Sequence, residues 1–135
     1  MSNSESDIQR FLEGSVFAVV GASEDRSKYG NKVLRCYMQN GRQAIPINPK
    51  SKTIEGQACY TDLESVPGTI DAVSFITPPR ITESVVQVAV RLGIQHLWMQ
   101  PGAESEQAIH TAEAAGMNVI AGGPCLLVVL GFREE

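Results

Sequence analysis

The stretch from Val16 to Val33, VFAVVGASEDRSKYGNKV, constrains this chain more than any other. A continuous apolar run stops at Gly21-Ala22-Ser23, a polar loop follows, and helical periodicity resumes at Gly30. That order predicts a buried parallel strand, a small-residue turn and a helix N-terminus, the first unit of a nucleotide-binding α/β domain. A Cβ at Gly21 is expected to hold a phosphate off the backbone, while the helix beyond offers unpaired N–H groups and a positive dipole end. The spacing is not G-x-G-x-x-G, because Ser23 takes the second glycine's place and the loop is longer. A plain strand-to-helix turn is the competing reading of this motif on its own.

The same alternation continues down the chain. Residues 1–5 read as frayed, and Ser6 or Asp7 can cap a short helix to about Glu13 that packs through Ile8, Phe11 and Leu12. Strand one is Val16 to Val20, and a helix follows from about Gly30 to Asn40, ended by Gly41. Strand two is Ala44 to Asn48. A short third strand near Gln57–Tyr60 precedes a brief helix that Thr61 or Asp62 could cap. Strand four is Ala72 to Ile76; Pro79 suits the first position of the next helix, whose face is expected to be Ile81, Val85, Val88, Ala89 and Leu92. Strand five is Ile94 to Met99, and Glu104 and Glu106 are expected in the first turn of a helix packing through Ala108, Ile109, Ala112 and Ala115. Strand six is Asn118 to Ala121, before an apolar tail from Leu126 to Leu130. Helix, glycine, strand recurs at Gly41, Gly93 and Gly116, the mark of repeated βα units with right-handed crossovers. The expectation is one Rossmann-like three-layer α/β domain over residues 1–135, with a mostly parallel five- to six-stranded sheet.

Charge narrows the ligand. The net charge of −4 hides a run from Arg26 to Lys52 in which Arg26, Lys28, Lys32, Arg35, Arg42, Lys50 and Lys52 meet no acidic residue. Nucleic acid is the usual partner of a basic patch, but the chain is acidic overall and its few aromatics do not interleave with these residues, so a small polyanion fits better. A solvated face accounts well for Lys32, Arg35 and Arg42. No apolar run is long enough to span a bilayer, the first residues are polar, and Cys36, Cys59 and Cys125 lack metal-ligand spacing. A reducing cytoplasm is the default expectation.

Strands one, two, four, five and six leave through Gly21-Ala22-Ser23, Asn48-Pro49-Lys50, Thr77-Pro78-Pro79, Gln100-Pro101-Gly102 and Gly122-Gly123-Pro124-Cys125. All fall on the carboxyl rim, where open α/β sheets bind ligands. An NAD site needs an acid closing strand two to accept the ribose hydroxyls; here Asn48 holds that place, with Lys50 after it. A cation there suits an extra ribose phosphate, at the 2′ oxygen in NADP or the 3′ oxygen in coenzyme A. The P-loop motif G-x-x-x-x-G-K-[ST] is absent.

In this order VVGAS with the later Gly30, IPINPK, GQACYTDLESVP, DAVSFITPP, HLWMQPG and AGMNVIAGGPC make the chain resemble the stand-alone CoA-binding domain proteins, whose fold is similar to the nucleotide-binding domain of the succinyl-CoA synthetase α subunit. The resemblance implies bound coenzyme A or an acyl-CoA. Its diphosphate would lie over Gly21, Ala22 and Ser23, with Lys28, Tyr29 and Gly30 near by. Pro49 and Lys50, beside Asn48, would hold the adenosine 3′-phosphate end. Thr77, Pro78 and Pro79, with Gln100, Pro101 and Gly102, would line the path of the pantetheine arm. Family members often carry an acidic-basic pair before the late cysteine; here Gly123-Pro124 precedes Cys125. The synthetase's catalytic histidine and ATP-handling parts have no counterpart, so ligase activity does not follow from the fold.

No acid/base pair or nucleophile-base spacing stands out. His96 reads as a packed structural histidine and His110 as a surface one. Cys125 is read two ways: as a small buried residue, or as a thiol forming a mixed disulfide with the coenzyme's thiol. A small-molecule nucleotide is the expected ligand, and the protein would act as a binding, regulatory or carrier module. The alternatives are an NADP-dependent oxidoreductase, or a subunit of a larger CoA-ligase-type enzyme. The apolar C-terminal tail is expected to meet the core, a second copy of the chain or an enzyme partner.

Overall fold

Alternation along the first strand divides the molecule into layers. Phe17 and Val19 face one apolar cluster, Ala18 and Val20 the other, and no polar side chain interrupts either set. The computed structural model describes residues 5–134. In chain order its elements are α1 (Glu5–Leu12), β1 (Val16–Val20), α2 (Tyr29–Gln39), β2 (Gln43–Ile47), β3 (Thr53–Ile54), β4 (Gln57–Ala58), a 3₁₀ turn (Leu63–Ser65), β5 (Ala72–Phe75), α3 (Pro79–Arg91), β6 (His96–Met99), α4 (Glu106–Ala114), β7 (Asn118–Ile120) and α5 (Leu126–Leu130). Five strands form one sheet in the order β2-β1-β5-β6-β7, and every pairing in it is parallel. The expected Rossmann-like α/β fold is therefore present, with a five-stranded sheet.

Burial on both faces is what makes a parallel sheet of such short strands hold. On one face Phe11 of α1 packs edge-on to Trp98 at 5.3 Å, and Phe17 stacks on Tyr37 of α2 at 4.9 Å. The Tyr37 hydroxyl meets Ser74 Oγ at 2.6 Å, and Trp98 Nε1 donates to Pro124 O at 3.1 Å, so both large rings enter the core with their polar atoms satisfied. Leu126 of α5 closes this face. The other face is covered by α3, α4 and the 3₁₀ turn through Val86, Ala89, Ala108, Ala112 and Leu63.

Several expectations need correction. Glu5 opens α1 rather than fraying; residues 1–4 lie outside the described residues. The strand expected near Gln57–Tyr60 is not part of the sheet: β4 pairs antiparallel with β3, and Tyr60 alone reaches β2 through a bridge to Ile47. Glu104 precedes α4 and accepts from Gly102 N at 2.7 Å, while Ser105 caps the helix by accepting from Ala108 N. Ala115 is exposed at the end of α4. Along α3 Ala89 is buried and Val85 and Val88 pack partly buried against the core as expected, but Thr82 and Val86 are the other buried side chains, and Ile81 is 47% and Leu92 45% exposed. Arg35 is not solvated, and Arg42 is only partly so. Arg35 is buried, with Nε donating to Asn31 Oδ1 at 2.6 Å and its guanidinium 5.1 Å from the Phe132 ring. Arg42 donates to Leu12 O and lies 5.7 Å from the Phe17 ring. No helix is long and apolar enough to cross a membrane.

Candidate functional site

The order in which the chain lays its parallel strands across the sheet reverses at β1: β2 lies on one side of it and β5 on the other. Beyond the carboxyl ends of such a pair the connecting segments diverge and leave a crevice. Here the crevice is a cavity of about 740 Å³ lined by Gly21, Ala22, Ser23, Lys28, Asn48, Pro49, Lys50, Thr77 and Pro78 together with Thr61, Asp62, Leu63, Ile81, Val85 and Val88. The first nine come from three separate stretches that the sequence singled out, and they share one wall-to-wall space.

Within the fold itself, glycine in the turn meets a requirement of backbone packing. Gly21 has φ +95°, and a Cβ there would stand 2.2 Å from Ile76 O, in the neighbouring strand's exit. A Cβ on Gly30 would stand 2.0 Å from Gly21 O. The two glycines let three backbone segments touch, so α2 begins directly beneath the turn. Both turn carbonyls are then claimed by side-chain amides. Asn48 Nδ2 donates to Ala22 O and Asn31 Nδ2 to Ser23 O, each at 2.8 Å. No described residue accepts a hydrogen bond from the N–H of Ala22, Ser23 or Glu24. A carbonyl and the following N–H point in opposite directions across a peptide plane. The N–H groups that follow these two carbonyls, those of Ser23 and Glu24, therefore point away from the anchoring amides and keep their donors for another acceptor, as backbone nests that take anions do.

Asn48 has a second bond: its Oδ1 accepts from Lys50 N at 2.8 Å, so one side chain ties the two turns together and fixes where Lys50 leaves the backbone. Lys28 and Lys50 are exposed and make no salt bridge to a described residue. Asp62 is the acid on the lining, and its Oδ1 is engaged by Ser65 N and Oγ. Opposite the turn lies an apolar wall of Ile81, Val85 and Val88 from α3, with Leu63. That stripe was legible in the sequence as one apolar face, and Val85 and Val88 lie on both the cleft lining and the core. Thr61, Asp62 and Leu63 were legible there as a cap and its helix alone.

The remaining candidates stand elsewhere. Gly30 is buried beneath the turn, and Pro79 is the first residue of α3 rather than part of the lining. Gln100 is fully buried; its Oε1 accepts from Leu126 N at 2.9 Å and from the Tyr29 hydroxyl at 3.2 Å. Pro101 and Gly102 are exposed beyond β6. Cys125 lines no part of the cavity, and its Sγ lies 2.6 Å from the Tyr29 hydroxyl. Burial first, then the hydrogen bond to Cys125, holds the Tyr29 phenol well above its ordinary range. His96 is half-buried against Asn118 Nδ2 at 3.1 Å, and burial, then Arg10, depresses its pKa. Among the described residues no group of three or more His, Cys, Asp or Glu could hold a metal ion.

Comparison with known proteins bears on the same region. A family model described as a CoA binding domain matches residues 15–131. The structure of a conserved hypothetical protein from Pyrococcus furiosus is 37% identical, with a TM-score of 0.80 over 86% of this chain and 99% of that one. A dinucleotide-forming acetyl-coenzyme A synthetase of Candidatus Korarchaeum cryptofilum, solved with phosphate and ADP, is 28% identical with a TM-score of 0.75, over 89% of this chain and 27% of that one. The ADP-forming acetate–CoA ligase I of Archaeoglobus fulgidus is 22% identical over 88% of this chain but only 19% of the ligase, so the chain spans about a fifth of that relative.

Proposed function

Because the chain belongs to the CoA-binding domain family, we propose that its carboxyl-rim cleft holds coenzyme A or an acyl-CoA, and that the protein serves as a binding, regulatory or carrier module. The cleft's own division carries this reading: a donor-rich turn and two lysines on one side, an apolar wall on the other. A diphosphate over Gly21, Ala22 and Ser23 meets outward N–H groups, with Lys28 beside it. An adenine ring suits Ile81, Val85 and Val88. Lys50 meets the 3′-phosphate, and the pantetheine arm leaves past Thr77 and Pro78 toward Pro101 and Gly102. Cys125 lies outside the cavity lining with its sulfur 2.6 Å from the Tyr29 hydroxyl, and this arrangement asks no contact of it.

A second reading has one observation in its favour. The chain matches about a fifth of an ADP-forming acetate–CoA ligase, so it could supply the coenzyme-binding part of a larger ligase assembled from separate chains. Elution from native lysate at the chain's own 14.6 kDa would count against that.

Thermal shift with CoA, acetyl-CoA, dephospho-CoA, NADP and NAD tests the main reading. A ligand at a hundred times its dissociation constant adds roughly 2.7 kcal/mol of stability. CoA should raise the melting point most, dephospho-CoA less, and Lys50→Ala should narrow the gap between them. Equal effects of CoA and dephospho-CoA would remove Lys50 from the 3′-phosphate. Best protection by NADP would favour an oxidoreductase instead, and no shift with any CoA compound would end the proposal.

A further inference from the structure

The hairpin that follows β2 has a residue its turn does not favour. Glu55 and Gly56 are the two central residues between β3 and β4, with φ of +51° and +77°. Glycine adopts that backbone freely, and asparagine or aspartate tolerates it; a glutamate there is a few-per-cent case. Its side chain reaches off the hairpin. Oε1 accepts from Arg26 Nη1 at 2.7 Å and Oε2 from Asn31 Nδ2 at 3.1 Å. Arg26 lies in the loop that follows the Gly21–Glu24 turn, and Asn31 in the first turn of α2.

Asn31 is fully buried, and both its polar atoms are engaged: Nδ2 by Ser23 O and Glu55, Oδ1 by Arg35 Nε. Arg35 in turn donates to Arg26 O at 2.8 Å. The hydrogen bonds thus close a ring from Glu55 through Asn31 and Arg35 to Arg26 and back, with the Ser23 carbonyl hung on it. Glu24 Oε2 accepts from Ser51 Oγ at 2.6 Å, a second tie between the same loop and the segment leading into the hairpin. Backbone held in a disfavoured region persists only where its surroundings over-determine it, and such residues cluster at functional sites.

We infer that Glu55 is a positioning residue: from the hairpin, its carboxylate fixes Asn31 and Arg26 so that the Gly21–Glu24 turn keeps its N–H groups facing the cleft before a ligand arrives. The inference rests on the reading of the cleft as a coenzyme A site and adds a demand to it. Opening the hairpin should loosen the nest, and a diphosphate in the nest should in turn hold the hairpin closed. Preorganisation of this kind raises affinity by removing an ordering cost at binding.

Glu55→Gly separates this role from a merely structural one, because glycine relieves the backbone while deleting the carboxylate. The melting point of the ligand-free variant should stay level or rise, yet its affinity for CoA by calorimetry should fall about tenfold, the scale of one lost charged hydrogen bond. Glu55→Gln, which keeps an acceptor and the strained backbone, should fall between the variant and the wild type in affinity. Hydrogen exchange on the ligand-free proteins supplies a readout independent of coenzyme A: the hydrogen-bonded amides of Lys28, Asn31 and Lys32, which close the loop onto α2, should exchange faster in Glu55→Gly, while those of β1 and β5 are unchanged. Wild-type binding of CoA with equal affinity in Glu55→Gly overturns the inference and leaves the site reading intact. Failure of the wild type to bind CoA ends the site reading, and unaltered exchange at Lys28, Asn31 and Lys32 overturns the inference on its own.

Discussion

Gly30 carries more of the architecture than its size suggests. It sits inside the first turn of α2, where replacement by alanine would ordinarily gain about 1 kcal/mol of helix propensity. Its missing Cβ lets the Gly21 carbonyl approach to a distance no side chain could share, 2.0 Å from an ideal Cβ. That obstacle is backbone, held on both sides by strand pairing, so it cannot swing away as a flexible side chain would. Overpacking of this kind costs about 1–3 kcal/mol or more. Gly30→Ala is therefore expected to lower stability by roughly 2 kcal/mol or more despite the propensity gain, read as a fall in the urea midpoint. A midpoint at or above that of the wild type would mean that α2 can slide off the turn. Gly41, by contrast, has open space around it, and its requirement is its φ of +70° alone.

At the level of the element, α3 has two apolar stripes with different duties. Val86 is fully buried beneath the helix, whereas Ile81 is 47% exposed on the cleft wall. Val86→Ala should cost about 1–3 kcal/mol of stability and leave CoA affinity within twofold. Ile81→Ala should change stability by about 0.5 kcal/mol or less and weaken CoA binding several-fold. Paired urea titrations and calorimetry distinguish them, and a reversed pattern would mean that Ile81, not Val86, belongs to the core. This division also marks the limit of what periodicity reveals. Ile81, Val85, Val88 and Leu92 repeat at helical spacing as cleanly as a core face does, because a helix at the lip of a crevice meets apolar neighbours on two sides. Spacing records that a stripe is apolar, not what covers it. The β1–turn–α2 unit was legible because its small residues separate two different periods. The hairpin was not, because two-residue strands are too short for an alternation to register and Glu55 is the wrong residue type for its turn.

At the scale of the molecule, the buried ionisable groups among the described residues, Asp7, Arg35, Cys36 and Tyr37, belong to α1 and α2, on the side of the sheet that α5 also covers. Tyr37 is fully enclosed and burial drives its phenol well above the ordinary range. Burial, then the nearby Cys125, pushes the Cys36 thiol from 9.0 up to about 11. In both cases the folded protein keeps a proton that the unfolded chain releases at lower pH. Unfolding therefore releases protons across that interval, and rising pH favours the unfolded state. The contribution is fully present below about pH 8, where the thiol is protonated in both states, and is lost as pH climbs from the unfolded value through the folded one. Each such proton gives a slope of about 1.4 kcal/mol per pH unit within its window. Urea midpoints taken from pH 7 to pH 11 should be level at first and then fall. Lysine deprotonation also acts in that range, so the informative quantity is a difference between proteins. Cys36→Ala should start lower, from the lost packing, but decline less steeply between pH 9 and pH 11 than the wild type. Parallel declines would mean that the thiol meets water in the folded state, and that the layer between α2 and α5 is more open than its packing implies.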